Sequence, residues 1–598
     1  MAFQLSPGVN VTERDLTTIV PAVSTTNAAF AGLFNWGPVG KIILVDSENS
    51  LVKTFGVPDD INYEYFFSAA NFLSYGNNLS VVRTVRTSTS AKNATPGGLA
   101  TTFVANEDRV GDLNGNTYGF FMARYPGSLG NSLEIQTCGA SAAAFDAWEY
   151  GNQFDTHPTT TSSVLGQGGS GDAFHLVVID KGGLWSGATG TVLERYDNLS
   201  LYSGAYDANG ASKFFRNRIN DDSDYILCPT SPVITTTATA LGITAGATAS
   251  SFTTTFTNFS YGGKNGTYVP FGVVKYTLSG GVSETAVTTA PQYLDVAFGG
   301  GGGASGGYQL FKDSDTVDVN LIIGGPEAKP SGTAVASGTV AKKIKDDIAD
   351  VRKDCVLFCS SPINNPTRTD NDKKDIAISY RNDIGSSSYV FIDSGYKYMY
   401  DIYNDKYRWV PLCGDIAGIC ARSDSTNDPW YSPAGFNRGQ VKGVVKLAFN
   451  PSSTFRDTLY KNNINPVVTL PGEGTILYGD KTALTRPSAF DRINVRRLFI
   501  VLEKAIATAA KYSLFEFNDT FTRAQFRSLV EPFLRDVQAR RGITDFKVVC
   551  DEKNNTPDVI DSNRFIADIY IKPARSINFI QLNFVATRTG VSFSEVGA

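Results

Sequence analysis

An α/β multidomain protein is the expectation from this sequence: a discontinuous α/β core domain, a β-rich domain inserted into it, an α+β C-terminal domain, and extended strand arms at both termini. Three observations point there. Strand and helix periodicities alternate in two separated blocks, 24–88 and 308–460, and such alternation builds parallel sheets. Between them, 89–307 is rich in Gly, Ser and Thr and carries only short strand signals. From 461 to 598, two long amphipathic helices precede three strand signals. At 598 residues the chain is also too long for one hydrophobic core.

The elements follow in order. In the arm 1–23, Val9 and Val11 alternate with Asn10 and Thr12, the period of a half-buried strand. Pro7 and Pro21 bracket it and would end any helix. Such an arm cannot bury its apolar face alone and needs a partner. In the first core block Ile42-Ile43-Leu44-Val45 reads as a buried strand and 79–85 as the next one. Between them, 63–75 is an aromatic-rich helix with Phe66, Phe67, Ala70 and Leu73 near helical spacing. The insert has strand signals at 176–180 and 190–196, and its low-complexity stretches 235–257 and 299–303 read as long surface loops. The second block resumes with a strand at 317–323, a helix at 339–353 and a strand at 355–359, the spacing of a right-handed crossover.

In the C-terminal part, the helix 494–511 places Leu498, Val501, Leu502, Ala505, Ile506 and Ala509 on one face. A second helix, 522–541, carries Phe526, Leu529, Val530, Phe533, Leu534 and Val537. Pro532 is expected to kink it, and Gly542 to take the left-handed position after its end. Strands are expected at 546–550, 565–571 and 577–586. The last sets Ile580, Leu582, Phe584 and Ala586 opposite Gln581 and Asn583.

Composition excludes several classes. The chain is 42% hydrophobic and 19% charged, with a net charge of −5 and a pI near 5.4, which argues against a nucleic-acid-coating role. No apolar run approaches the ~20 residues that span a bilayer, and the N-terminus lacks the pattern of a signal peptide. Seven scattered cysteines imply buried reduced thiols, with no disulfide framework. Two histidines, His157 and His175, are too few for most zinc sites and read as surface or core residues. Gly303-Ala304-Ser305-Gly306-Gly307 matches a nucleophile elbow by letter, but a glycine run stands where the strand should be. Asp313, Asp315 and Asp318 lack the Gly and closing Glu of a calcium loop. No phosphate-binding loop occurs. Catalytic residues, cofactors and metals are therefore not expected.

One segment concentrates conformational constraint: Pro429-Trp430-Tyr431-Ser432-Pro433-Ala434-Gly435-Phe436-Asn437-Arg438-Gly439. Proline fixes φ and glycine permits positive φ, so Pro429, Trp430, Pro433, Gly435 and Arg438 mark a rigid, aromatic-anchored structural turn. This stretch resembles one found in the tail sheath proteins of contractile-tailed phages (myoviruses). The resemblance runs along most of the chain, through Leu5-Ser6-Pro7-Gly8-Val9, Phe34-Asn35-Trp36-Gly37-Pro38, Phe55-Gly56-Val57-Pro58 and Tyr125-Pro126-Gly127-Ser128-Leu129-Gly130-Asn131. It continues in Tyr407-Arg408-Trp409-Val410-Pro411-Leu412, Leu477-Tyr478-Gly479-Asp480-Lys481-Thr482, Asp491-Arg492-Ile493-Asn494-Val495-Arg496-Arg497 and Lys572-Pro573-Ala574-Arg575-Ser576-Ile577-Asn578-Phe579. It is weakest over 88–117 and 235–307, and the first of these is too short for the extra outer domain of larger family members.

The resemblance implies a structural subunit that is not an enzyme. Six-fold rings would stack helically around a tail tube, with the insert 89–307 outside and the C-terminal domain facing the tube. N-terminal arms and C-terminal strands would add to sheets of adjacent subunits. Their terminal placement and period-2 pattern assign that strand exchange to Val9, Val11, Ile577, Phe579, Ile580, Leu582, Phe584 and Ala586. The implied partners are further copies of the chain, the tail tube protein, and baseplate and tail terminator proteins, without direct nucleic-acid contact or membrane insertion. The implied place is the virion tail, assembled in the host cytoplasm. Two arginine clusters, Arg492, Arg496 and Arg497 at the start of one long helix and Arg535, Arg540 and Arg541 at the end of the other, admit two readings. They are solvated helix faces, or ionic contacts to the tube or a neighbour. Three rivals stay open. One is a glycan-binding adhesin, with Tyr261, Tyr268 and Tyr293 as candidate exposed aromatics of the insert. The second is an enzyme with a carboxylate pair for glycoside hydrolysis, although no arrangement of Asp and Glu singles two out. The third is the sheath of a related contractile injection system.

Overall fold

A computed structural model describes residues 24–86, 91–96, 103–112, 120–139, 142–158, 172–201, 204–207, 209–229, 243–245, 272–299, 306–363, 365–578 and 581. The chain divides into two compact units. The larger holds 24–427 and 433–493; the C-terminal unit holds 1–23, 428–432 and 494–598.

The larger unit begins with β1 (Ala28–Gly32), β2 (Ile42–Val45), α1 (Glu48–Phe55), α2 (Tyr63–Leu73) and β3 (Leu79–Arg83). The expected strands at 42–45 and 79–85 are present as β2 and β3, but they pair antiparallel, and β2 is not buried as expected, since it lies at the sheet edge with Leu44 exposed. The parallel partner of β3 is β1, which the periodicity did not reveal. Its sequence, Ala-Ala-Phe-Ala-Gly, has no β-branched residue. It is fully buried, so small side chains serve close packing there instead. The helix expected over 63–75 is present as α2, buried from Glu64 to Phe72 on all faces.

The middle of this unit is antiparallel: β4 (Leu133–Gly139), β5 (Ala173–Asp180), β6 (Thr191–Ser200) and β7 (Val273–Ser279), in the order β7-β4-β5-β6. β4 and β5 are buried on both faces, between an aromatic cluster around Phe120, Phe121, Phe174 and Phe215 and another around Trp148. His175 lies in the second and stacks on Phe154, with ring centroids 4.2 Å apart. Its Nδ1 accepts from the Asn198 amide, so it is a satisfied core histidine. A helix, α3 (Ala290–Phe298), then packs against β1. Tyr293 lies on it and is 5% exposed, so it cannot serve as the surface aromatic of an adhesin. Tyr261 and Tyr268 fall outside the described residues.

The strand expected over 317–323 shortens to β8 (Leu321–Ile323). Arg352 holds the lead-in as a loop by donating to the Val317 carbonyl at 2.9 Å, and Asp313 turns it by accepting from the Asp315 amide at 3.0 Å. The helix expected over 339–353 starts as α4 (Val340–Ile344) and passes through a π turn at Lys345–Ala349. β9 (Val356–Ser360), α5 (Asp370–Ile384) and β10 (Val390–Asp393) complete a six-stranded sheet in the order β10-β9-β8-β1-β3-β2. All of its pairs except β2–β3 are parallel. β1 and β8 are neighbours in that sheet although the antiparallel strands intervene in sequence.

A hairpin, β11 (Tyr396–Asp401) and β12 (Lys406–Pro411), leads to α6 (Cys413–Thr426). α6 packs on α2 at backbone distance: a Cβ on Gly414 would lie 2.1 Å from the Ser68 carbonyl oxygen. A buried ion pair, Lys397 to Asp415 at 2.9 Å, ties β11 to α6, and the Tyr75 hydroxyl donates to the same carboxylate at 3.0 Å. A lone charge there would be costly, so each partner requires the other.

Candidate assembly interface

The C-terminal unit is built from α7 (Ile493–Ala510), α8 (Thr520–Ala539) and a two-stranded sheet, β13 (Ile543–Val549) with β14 (Asp568–Pro573). Leu498 and Leu502 of α7 meet Phe526, Val530, Leu534 and Val537 of α8, the helical spacing the sequence displays. α8 runs unbroken through the exposed Pro532. The centre of the cluster is Trp430, supplied by the short return of the chain at 428–432. Its indole Nε1 donates to the Arg540 carbonyl at 3.1 Å, and the Arg540 guanidinium sits 5.1 Å from the ring centroid.

The end of α8 corrects one expectation. Arg541, not Gly542, takes the left-handed conformation, with φ +66°. The Arg541 amide donates to the Gln538 carbonyl at 3.0 Å and the Gly542 amide to Val537 at 2.9 Å, a paired cap of the last turn. Gly542 is required for space: a Cβ there would lie 2.7 Å from Val537 and 3.0 Å from the Trp430 ring.

The rigid segment therefore serves both units. Pro429 and Trp430 are buried in the C-terminal unit, while Pro433, Gly435 and Arg438 belong to the larger one. Gly435 has φ +97°, and its amide donates to the Leu477 carbonyl at 3.0 Å. The Arg438 carbonyl accepts from Arg422 at 2.7 Å.

β13 and β14 pair antiparallel, with Phe546 opposite Ile571 and Val548 opposite Ile569. β14 starts at Asp568 instead of 565, because Phe565 leaves the strand line to pack edge-on against Phe526, 5.4 Å away. Ile569 and Ile571 face the helices, and Tyr570 is 59% exposed. Among the described residues these two strands pair only with each other, so each has one edge open. Of the residues assigned to strand exchange, Val9, Val11, Phe579, Ile580, Leu582, Phe584 and Ala586 lie outside the described residues. Ile577 is described; it is 83% exposed and lies beyond the last strand.

The six arginines do not share an environment. Arg492 belongs to the larger unit, where it donates to the Tyr460 hydroxyl at 2.8 Å and lies 3.5 Å from Asp480. Arg496 and Arg497 are each 4% exposed, and Arg496 reaches Glu503 at 3.4 Å. Arg540 pairs with Asp428 at 2.8 Å and Asp536 at 2.6 Å. Like Arg540, Arg535 and Arg541 are exposed, with Arg535 3.7 Å from Glu531.

Sequence reasoning missed three carboxyls sealed in the larger unit. Asp393 accepts from the Ser360 hydroxyl at 2.7 Å and the Gly395 amide at 2.9 Å, and burial pushes it up to about 8. Glu327 accepts from the first amides of α4, Val340 at 3.0 Å and Ala341 at 2.8 Å, and burial raises it to about 7. Glu64 in α2 is likewise raised to about 7 by burial. No hydropathy pattern distinguishes these from surface acids. Among the described residues, no cluster of His, Cys, Asp or Glu could hold a metal, and no helix is long and apolar enough to cross a membrane. All seven cysteines are buried, and none of them forms a disulfide.

Three family models match in succession: the tail sheath protein Gp18 domain III N-terminal region over 25–84, the phage tail sheath protein central domain over 311–483, and the phage tail sheath C-terminal domain over 485–587. The tail sheath protein of Vibrio phage KVP40 is 36% identical over 680 aligned residues, covering 99% of each chain. That of Enterobacteria phage T4 is 34% identical over 675, again covering 99% of each. That of Salmonella phage ViI is 34% identical over 643, covering 100% of this chain and 98% of its own. A crystal structure of a sheath tail protein from Listeria innocua is 11% identical, with a TM-score of 0.49 over 92% of this chain and 96% of its own. Identity above a third along practically the whole length decides the assignment: the chain belongs to the tail sheath proteins of contractile-tailed phages.

Proposed function

We propose that the chain is the structural subunit of a sheath whose six-fold rings stack helically around a tail tube protein, between a baseplate and a terminator. Contraction of that sheath drives the tube through the host envelope. The observation that supports this reading is the two-stranded sheet β13–β14, whose strands pair only with each other among the described residues and which the arm 576–588 follows in sequence. An open edge presents unpaired amides and carbonyls, a template for a strand from another chain. Donation by a neighbour is heterologous, so it propagates into a tube instead of closing into a dimer. Val9 and Val11 of one arm, and Phe579, Ile580, Leu582, Phe584 and Ala586 of the other, supply the apolar faces of the donated strands. In this reading the core (24–88 with 308–460), the outer insert (89–307) and the tube-facing part (461–598) move as bodies while the strands tether them. Arg535, Arg540 and Arg541 are the arginines of the two clusters exposed enough to meet an acidic tube. The subunit has no phosphate-binding loop, so the work comes from the metastability of the assembled state.

Electron microscopy of the purified chain at rising concentration tests this. Ribbed tubes of uniform diameter are expected; single particles that persist both alone and with added tail tube would overturn it.

A further inference from the structure

The connection between α7 and α8 carries a surface that neither the packing of the unit nor strand exchange uses. Across Tyr512-Ser513-Leu514-Phe515-Glu516-Phe517-Asn518-Asp519-Thr520-Phe521, five large apolar side chains face solvent. Tyr512 is 78% exposed, Leu514 62%, Phe515 104%, Phe517 85% and Phe521 74%. At ~150–250 Å² for a whole aromatic side chain, their exposed area is on the order of 800 Å². The largest apolar patch of an ordinary monomer is about 300–600 Å².

The segment is held in place. Asn518 at its middle donates to the Arg564 carbonyl at 2.8 Å and accepts from Arg523 at 2.8 Å. Asp519 caps α8 by accepting from the Thr522 amide at 2.7 Å. The Asp519 amide donates to the Phe517 carbonyl at 2.9 Å. Phe515 has φ +69°, a conformation that bulky residues avoid. A disfavoured backbone that aims a phenyl ring into water is a cost without return unless something covers the ring.

We propose that this aromatic loop docks on a second copy of the chain, as an apolar contact additional to strand exchange; the proposal rests on the sheath reading above. Three points favour a copy over the other occupants. The area matches the roughly 800 Å² per partner of a standard stable interface. Phe and Tyr in a rigid frame are the residues that anchor such interfaces. In a contracting sheath, moreover, copies stay joined while the tube slides, and an apolar contact of this size suits the partner that is kept. A lipid surface is disfavoured by charge, because the loop holds Glu516 and Asp519 and no Lys or Arg.

The test compares the full chain with a Phe515→Ser/Phe517→Ser double variant by sedimentation velocity over a concentration series. Both side chains are exposed, so the variant should melt with the wild type, and matching melting curves establish that it folds. The wild type is expected to self-associate, and the variant to need roughly tenfold or more higher concentration. Equal association would overturn the loop contact and leave the sheath reading standing. A wild type still monomeric at about 100 µM would also overturn the loop contact, since an interface of this size should form there; assembly on added tail tube then judges the sheath reading separately. Pelleting of the wild type but not the variant with phosphatidylglycerol vesicles, without self-association, would assign the loop to lipid and overturn the proposal.

Discussion

The six-stranded sheet of the larger unit and the two-stranded sheet of the C-terminal unit answer the same physical demand in opposite ways. In the first, β1, β8 and β9 are buried on both faces, and helices such as α2 and α6 pack at backbone distance. Its edge strand β10 accepts from the Asn465 and Ala483 amides of later segments, and its other edge strand, β2, shows an exposed Leu44. In the second, both strands are edges, and the nearby helix connection turns five apolar side chains outward. Four of the six strands of the first sheet have a partner on both sides. In the second, neither strand has a second partner among the described residues. In the proposed reading, folding and assembly fall to different parts of one sequence.

That contrast can be broken at its anchors. Trp430→Ala removes the centre of the C-terminal core and should cost about 3–5 kcal/mol. Hydrogen exchange should quicken in α7, α8 and β13 while the amides of β1, β3 and β8 keep their protection. Equal loss in both units would contradict the separation. The reciprocal substitution, Gly414→Val, drives a side chain into the Ser68 carbonyl and should cost about 3 kcal/mol or more, with the exchange pattern inverted.

Protonation sharpens the comparison. Asp393 has a carboxyl raised to about 8, so the folded state holds its proton more tightly than the unfolded chain does. Its contribution to stability is therefore full below about pH 4 and lost as pH rises through about 8. Melting measured across that window should show a declining contribution in the wild type and a flatter one in Asp393→Asn. An unchanged slope would mean that the carboxyl is not sealed. The smallest expected effect is at the end of α8, where Arg541→Gly should stabilise by about 1 kcal/mol by relieving the left-handed backbone. A loss of stability there would show that the arginine side chain makes a contact worth more than the strain.

Much of the element order was legible because long apolar periods survive any tertiary context. The stripes Leu498 to Ala509 and Phe526 to Val537 became α7 and α8 within two residues. What escaped was decided by contacts distant in sequence. β1 is a strand because β3 and β8 flank it, not because Ala-Ala-Phe-Ala-Gly prefers to extend. Gly542 reads as a turn glycine, yet it is a packing glycine set by Trp430, more than a hundred residues earlier. Arg496 and Arg497 read as a surface cluster because a helix start usually is one; they are buried, so reversing them to Glu would test the fold before any docking. The aromatic loop was invisible for the opposite reason, since a run such as Leu514-Phe515-Glu516-Phe517 gives no sign that it stays in water.

The most direct measurement is electron microscopy of the full chain beside a chain lacking 1–20 and 576–588, at matched concentration. If the open sheet is completed by donated strands, the full chain forms tubes and the truncated one stays in single particles with the same melting profile. Tubes from the truncated chain would show that assembly does not depend on strand exchange, and the proposed division between folding and assembly would fall with it.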